Sequence, residues 1–142
     1  MSKSNRPKSI ISYNRLNLAA AVVGVLNIVV HYGTLRNSAI SKGEAAAGPF
    51  LGIILLILSY LVFWFFIYRR GSNIAKWVFV FVTAVSVAML PFNLGGVFAI
   101  GEVYAVIDGI AFVFQLVAAA MLFQIDAKNW LGTFQKNAGN LK

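Results

Sequence analysis

The stretch PFLGIILLILSYLVFWFFIY, residues 49–68, carries no charged side chain and is followed directly by Arg69 and Arg70. A helix of about 20 apolar residues is long enough to cross the hydrocarbon core of a bilayer, which is about 30 Å thick. Such a helix is stable in lipid because its backbone groups are hydrogen-bonded within the helix itself. This stretch therefore predicts a membrane-spanning helix.

Three similar apolar runs lie on either side of it, at about residues 16–35, 74–94 and 103–125. The whole chain is 60% hydrophobic and only 11% charged, with a mean hydropathy of +0.80, whereas about 25% of the residues in a soluble domain are charged. We therefore predict an all-α protein: a four-transmembrane-helix bundle with antiparallel neighbours. The 142 residues form a single integral membrane domain with short polar tails at 1–15 and 126–142.

Proline and glycine suggest where the predicted spans end. Pro49 lies in the first turn of the second span, where the missing amide hydrogen costs little. Pro91 is expected to kink or end the third span, and the glycine-rich segment LGGVFAIGE at 94–102 is expected to form a turn. Apolar residues in the tails are expected to lie along the membrane surface, namely Ile10, Ile11, Tyr13, Trp130, Leu131 and Phe134.

The distribution of basic residues predicts the orientation. Of the twelve Lys and Arg residues, only Arg36 and Lys42 fall on one side of the predicted spans, together with Glu44 and Glu102. Basic residues are enriched on the cytoplasmic side of membrane proteins. Both termini are therefore predicted to be cytoplasmic in a bacterial inner membrane. The ten cytoplasmic basic residues would be Lys3, Arg6, Lys8, Arg15, Arg69, Arg70, Lys76, Lys128, Lys136 and Lys142.

Composition also excludes several functions. The formal charge of +8 is explained by helix ends rather than by a surface for nucleic acid, so we predict no nucleic-acid partner. The absence of cysteine excludes thiol-disulfide exchange and thiolate metal sites. The single histidine cannot supply both axial ligands of a haem. No nucleophile with a base and no metal cluster can be assembled, so we predict no enzyme, no cofactor and no metal.

Ionisable and polar groups inside the spans are candidate functional residues, because burying them in lipid is costly. Asn27 and His31 lie on the first span, and Asp108 and Gln115 lie on the fourth. Because spans one and four run in opposite directions, we expect them to touch, with His31 or Asn27 near Asp108. Such a contact is either a proton or cation site or a polar lock on helix register. The second interpretation is favoured because the central thirds of the spans carry no charge.

Small residues spaced four apart allow two helices to approach closely in lipid. On the first span Ala20 and Gly24 share the stripe of Asn27 and His31. Gly101, Ala105 and Gly109 lie beside Asp108, and Gly48 and Gly52 open the second span as a candidate contact with another helix.

Aromatic and basic residues gather at the predicted cytoplasmic ends of the spans. Indole and phenol rings settle at headgroup depth, and basic side chains reach the headgroups from there. The predicted interfacial anchors are Trp64, Arg69, Arg70, Lys76, Trp77 and Trp130.

Two segments carry a resemblance to a known group of proteins. RRGSNIAKWVFVF, residues 69–81, resembles the G-x-N-W-A-R-W type of cytoplasmic turn of small uncharacterised four-span bacterial inner-membrane proteins, with Ile74 in place of the usual tryptophan. LFQIDAKNWLGTF, residues 122–134, resembles the closing segment of the same chains. That group has no established activity, so the resemblance implies fold and location only.

The sequence favours a non-catalytic membrane protein that acts through helix contacts, as an accessory subunit or regulator of a larger membrane complex. Its expected partners are the lipid bilayer and other transmembrane subunits, or a second copy of the chain. Two alternatives stay open: a small oligomeric transporter or channel that uses Asp108 and His31, and an immunity-type membrane protein.

Overall fold

The computed structural model describes residues 6–139, with side chains for residues 6–132. Lys3, Lys142 and the side chains of Phe134 and Lys136, all named above, lie outside the described residues. The described residues are mostly helical and include no strand. In chain order its helices are α1 (Lys8–Val30), α2 (Tyr32–Ser41), α3 (Gly48–Phe63), a π-helical segment (Trp64–Arg69), α4 (Asn73–Ile100), α5 (Glu102–Met121) and α6 (Ile125–Gly139).

Four of these helical stretches are long and apolar enough to cross a membrane, which confirms the predicted all-α class with four apolar helices. They are Lys8–Val30, Gly48–Arg69, Asn73–Ile100 and Glu102–Met121. The second stretch is α3 together with the π-helical segment, in which the hydrogen bonds skip one more residue than in an α-helix.

Pro91 was predicted to kink or end the third span, and the structure shows that it does not end it. The predicted turn at residues 94–102 is wrong except at Gly101, which joins α4 to α5. Helix α4 continues through Pro91 to Ile100, and Asn93, inside that helix, donates a side-chain hydrogen bond to the Met89 carbonyl at 3.0 Å. Proline and glycine are tolerated within membrane helices, since freed backbone groups find other partners and an unpaired backbone in lipid is costly.

The ends of the other helices differ from the predicted spans as well. Helix α1 begins at Lys8, so half of the predicted N-terminal tail is helical, and it ends at Val30 rather than at residue 35. The short helix α2 follows after His31. Helix α5 ends at Met121, and the predicted C-terminal tail forms α6 as far as Gly139.

Two glycines make the tight connections on either side of α4. Gly71 has a φ of 61° and precedes Ser72, whose hydroxyl accepts a hydrogen bond from the Ala75 amide and caps α4. Gly101 has a φ of 150° and alone joins α4 to α5. Residues with a Cβ rarely adopt these positive φ values, so both connections depend on glycine.

The tightest packing lies at one end of the molecule, where α1 and α4 begin and α5 ends. Tyr13 is completely buried there, and its ring meets that of Phe79 edge to face at 5.4 Å between centroids. The prediction that Ile10 and Tyr13 lie on the membrane surface is therefore wrong. The cluster consists of Ile10, Tyr13, Ile67, Phe79, Ala118, Ala119, Leu122 and Ala127, with Leu16, Phe63, Tyr68, Ala75, Met121 and Trp130 packed against it.

Helix α1 makes its most extensive contact with α5, while α4 also contacts α5 and α1 also contacts α3. Away from the buried cluster the helices are loosely packed, and large apolar side chains such as Val30 and Phe92 are exposed. In lipid such exposure costs little, because the acyl chains are as apolar as the side chains.

The buried Tyr13 generates a prediction about stability. Its hydroxyl group has no hydrogen-bond partner among the described residues, and a buried unsatisfied group costs about 1–3 kcal/mol. Tyr13→Phe removes the hydroxyl and keeps the ring, so we expect it to raise the free energy of unfolding by about 1 kcal/mol. Tyr13→Ala also removes the ring and should lower that free energy by about 3–5 kcal/mol. Unfolding of the purified protein in mixed micelles measures both changes, and a Tyr13→Phe variant less stable than the parent would contradict this account.

Candidate functional site

A polar contact links α1 to α5. The Asn27 side chain is 2% exposed, and its Nδ2 donates a hydrogen bond to the main-chain carbonyl of Tyr104 at 3.1 Å. His31 lies just beyond the end of α1, where its Nδ1 bonds the Asn27 carbonyl at 3.0 Å. A carbonyl can only accept, so Nδ1 carries the proton. The His31 ring meets the Tyr104 ring edge to face at 5.3 Å. Tyr104 is thus the centre of this contact.

Asp108 does not join Asn27 and His31. Within the part of the chain whose side chains are described, it forms no hydrogen bond or ion pair with either residue, since both bond main-chain carbonyls instead. The Asp108 side chain is exposed rather than buried, one turn beyond Tyr104 on α5. The described contacts therefore join Asn27 and His31 to Tyr104, and they do not include the Asp108 carboxylate.

Asp108 lines a cavity of about 210 Å³ between α1, α3, α4 and α5, which we call the central cavity. Asn17 lines it and is 8% exposed, and its Nδ2 has no hydrogen-bond partner among the described residues. A buried donor without a partner is costly unless water or a ligand accepts from it. The polar residues that line the cavity are Asn17, Ser59, Tyr60, Asp108 and Gln115.

A second opening, of about 370 Å³, lies between α4 and α5, and we call it the α4–α5 cleft. Met89 and Phe98 line it from α4, and Ala105 and Gly109 line it from α5. Asp108 and Phe112 line both the cleft and the central cavity. His31 is among the described lining residues of neither, so this part of the site contains Asp108 without the predicted histidine.

Sequence analysis missed three polar residues of the central cavity, namely Asn17, Ser59 and Tyr60. Asn17 lies three residues before Ala20 and so continues the stripe of Gly24, Asn27 and His31 by one helical step. Ser59 and Tyr60 gave no comparable signal, because they are single polar residues in the most apolar span.

The predicted helix-packing residues fall into two groups. Gly24 is buried, and a Cβ at that position would lie 2.9 Å from Leu56 Cδ1, so its close neighbour is α3 rather than α5. Gly48, Gly52 and Gly109 have no such neighbour, since a Cβ there would meet nothing within 4 Å. Ala20 lines the central cavity beside Gly24, and Gly101 lies in the connection between helices, not on a helix face.

The predicted interfacial residues are arranged as aromatic and cationic contacts. Trp64 stacks on Tyr68 at 6.4 Å, and Arg70 lies 5.2 Å from the Phe65 ring centroid, while Arg69 is exposed. Trp130 packs against the buried cluster. The Lys76 side chain is buried, and its Nζ lies 4.5 Å from the ring centroid of Phe123.

A carboxylate outside the four spans connects α6 to α1. The Ser9 amide donates to Asp126 Oδ2 at 3.3 Å, and the Ala127 amide donates to Oδ1 at 2.9 Å. The pKa of Asp126 is lowered by its contact with Ser9 and by the main-chain amide of Ala127. Hydrogen bonds donated to the carboxylate favour its charged form.

Chemically, the central cavity offers one carboxylate, amide and hydroxyl groups, and apolar walls. This set suits the binding of water, a proton or a small cation better than bond-breaking chemistry. Among the residues that the structure describes, no group of three His, Cys, Asp or Glu side chains could hold a metal ion. The chain matches no protein-family model, no curated protein and no solved structure.

The lowered pKa of Asp126 generates a prediction about pH. A carboxyl group with a lowered pKa in the folded protein stabilises the fold above its unfolded pKa, and this contribution is lost as the pH falls through the folded pKa. We expect Asp126→Asn to lower the melting temperature at neutral pH, and the difference from the parent to shrink below about pH 4. Thermal unfolding in micelles across pH measures it, with the exposed Glu44→Gln as control. A difference that stays the same at acid and neutral pH would contradict the role of the Asp126 charge.

Proposed function

We propose that this chain is a non-catalytic integral membrane protein that acts through its helices, as an accessory subunit or regulator of a larger membrane complex. In this proposal the four apolar helices form a bundle with antiparallel neighbours in a bacterial inner membrane. Both termini face the cytoplasm, because ten of the twelve basic residues flank the spans on that side.

The open face of α3 is the observation that carries this proposal. No residue of α3 is fully buried, and Gly48 and Gly52, one turn apart, have open space where a side chain would be. Both glycines line an opening of about 400 Å³ whose other walls include Ile28 of α1, Leu35 of α2 and Tyr104 of α5. Exposed leucine and isoleucine alone are expected of any helix in lipid. Two glycines in an opening differ, because a partner helix that enters the opening can approach their backbone closely and gain van der Waals contact that lipid does not supply. Leu51 and Leu55, each three residues after one of these glycines, border this face and are exposed.

Replacing Gly52 tests the helix contact. Gly52→Leu places a side chain in the opening that Gly52 lines, where nothing lies within 4 Å of an added Cβ. We therefore expect the protein to insert and fold normally but to lose its membrane partner. A loss of about 1.4 kcal/mol of contact energy lowers the association constant about tenfold. The measurement is extraction in mild detergent, followed by native mass spectrometry of what stays bound.

The matched control is Gly96→Leu, because Gly96 is an exposed glycine of α4 that also has open space around it. This variant should keep the partner in the parent ratio. A parent protein that emerges from gentle extraction without a stoichiometric transmembrane partner would refute the accessory role.

A second candidate function is a small transporter or channel for protons or cations. Asp108 and Phe112 favour it, since they lie where the central cavity and the α4–α5 cleft adjoin. A carboxylate reached from two openings is suited to receive a cation from one and release it to the other. His31 has no part in this version of the proposal.

The transport candidate predicts that Asp108→Asn abolishes ion flux while leaving the fold intact. The fold should persist because Asp108 makes no hydrogen bond or ion pair among the residues with described side chains. Proteoliposomes loaded with a pH-sensitive or cation-sensitive dye measure the flux, and Glu102→Gln, a change at an exposed carboxylate at the start of α5, serves as control. Equal flux through the parent and Asp108→Asn would eliminate this candidate.

A further inference from the structure

A buried lysine lies in the first turn of α4. The Lys76 side chain is 4% exposed, and its Nζ lies 4.5 Å from the Phe123 ring centroid and 5.6 Å from that of Trp77. Lysine side chains that are buried to this extent are normally paired with an acid, whereas Lys76 lines a cavity beside two aromatic rings. Lys76 forms no ion pair within the described part of the chain. The carboxylate of Asp126 on α6 instead accepts hydrogen bonds from the amides of Ser9 and Ala127.

A second positive charge adjoins the first. Lys128, from α6, lines the same cavity as Lys76, and this cavity has a volume of about 300 Å³. Two ammonium groups at one cavity repel each other, and the surrounding protein, which has a low dielectric constant, strengthens that repulsion. An anion bound in the cavity would attract both ammonium groups and so offset their mutual repulsion. The other described lining residues are Asn73, Trp77, Phe123 and Gly132.

The start of α4 adds a third feature that favours an anion. Asn73 is the first residue of this 28-residue helix and lines the cavity. The Ser72 hydroxyl accepts a hydrogen bond from the Ala75 amide, and the Ser72 carbonyl accepts one from the Lys76 amide. The first two amides of the helix, those of Asn73 and Ile74, have no hydrogen-bond partner within the helix. Free amides and the helix dipole together attract negative charge.

We propose that this cavity binds the phosphate group of an anionic phospholipid, held between Lys76 and Lys128 at the start of α4. A lipid suits the cavity better than a free phosphate ion because exposed apolar side chains adjoin it. Trp77 is 56% exposed and Ile74 is 77% exposed, and a tryptophan ring beside a phosphate is typical of headgroup depth. The acyl chains would then lie along α4. This site goes beyond the proposed helix contact and does not depend on it, since α3 takes no part in the cavity.

The test compares lipids that differ in headgroup charge. The purified protein in dodecyl maltoside is titrated with dioleoyl phosphatidylglycerol or dioleoyl phosphatidylcholine, and bound lipid is counted by native mass spectrometry. We expect one phosphatidylglycerol to bind at least about tenfold more tightly than phosphatidylcholine, which is a difference of about 1.4 kcal/mol. Equal binding of the two lipids would overturn the proposal, and this comparison needs no variant.

Lys76→Met separates lipid binding from a purely structural role of the lysine. Methionine keeps the apolar stem and removes the buried charge, so the melting temperature without lipid should rise while the preference for phosphatidylglycerol disappears. Lys42→Gln, a change at an exposed lysine in the loop that precedes α3, should keep the preference. A Lys76→Met variant that melts lower and still prefers phosphatidylglycerol would show that the lysine is structural, and would overturn the proposal.

A competition experiment identifies the source of the phosphate. Inorganic phosphate at millimolar concentration is added to the complex with phosphatidylglycerol. Retention of the lipid would support a lipid site in which the acyl chains contribute to affinity. Displacement by inorganic phosphate in the parent, together with loss of phosphate binding in Lys76→Met, would overturn the lipid assignment and leave a site for free phosphate.

Discussion

The contact between α1 and α5 holds the described structure together. At one end of this contact, Asn27 donates to the Tyr104 carbonyl across the two helices, and at the other the N-terminal turns of α1 enter the buried cluster around Tyr13. Helices in lipid are not driven together by water, so they need packing and directional hydrogen bonds to fix their register. The central cavity and the α4–α5 cleft are both lined by residues of α5 that lie between the two ends of this contact. Their positions therefore follow from how α5 packs.

The all-helical class and the four long apolar helices were predictable from hydropathy, because long apolar runs in lipid satisfy their backbone groups as helices. The ends of the helices were not. In soluble proteins a proline followed by glycines usually ends a helix, and the prediction of a turn after Pro91 followed that rule. Helix α4 nevertheless continues through these residues to Ile100. The basic residues Lys8 and Arg15 made residues 8–15 look like a solvated tail. The spacing of Ile10 and Tyr13, at three residues, was the overlooked sign that this segment is an inward-facing part of α1.

The polar residues of α1 and α5 were identifiable from their spacing, but their partners were not. Side chains that share a helix face can bond other side chains or the main chain, and a stripe in the sequence does not distinguish these outcomes. Asn27 and His31 both form hydrogen bonds with main-chain oxygens. Asp108 lines the central cavity and the α4–α5 cleft. The burial of Lys76 was equally hidden, because it depends on α6, which the sequence presented as a polar tail.

The single residue that joins α4 to α5 has a consequence for how the chain is assembled. A connection of one residue adds almost no chain entropy that must be given up when its flanking helices meet, whereas longer loops cost more with every doubling of length. Helices α4 and α5 therefore form a local unit that can be completed as soon as both have been synthesised. Helix α1 can complete its packing only after this unit has formed, since α5, its main partner, is the last of the four spans to be synthesised. Until then the polar side chains Asn17 and Asn27 of α1 face lipid or the insertion machinery, and the docking of α5 is the step that covers them.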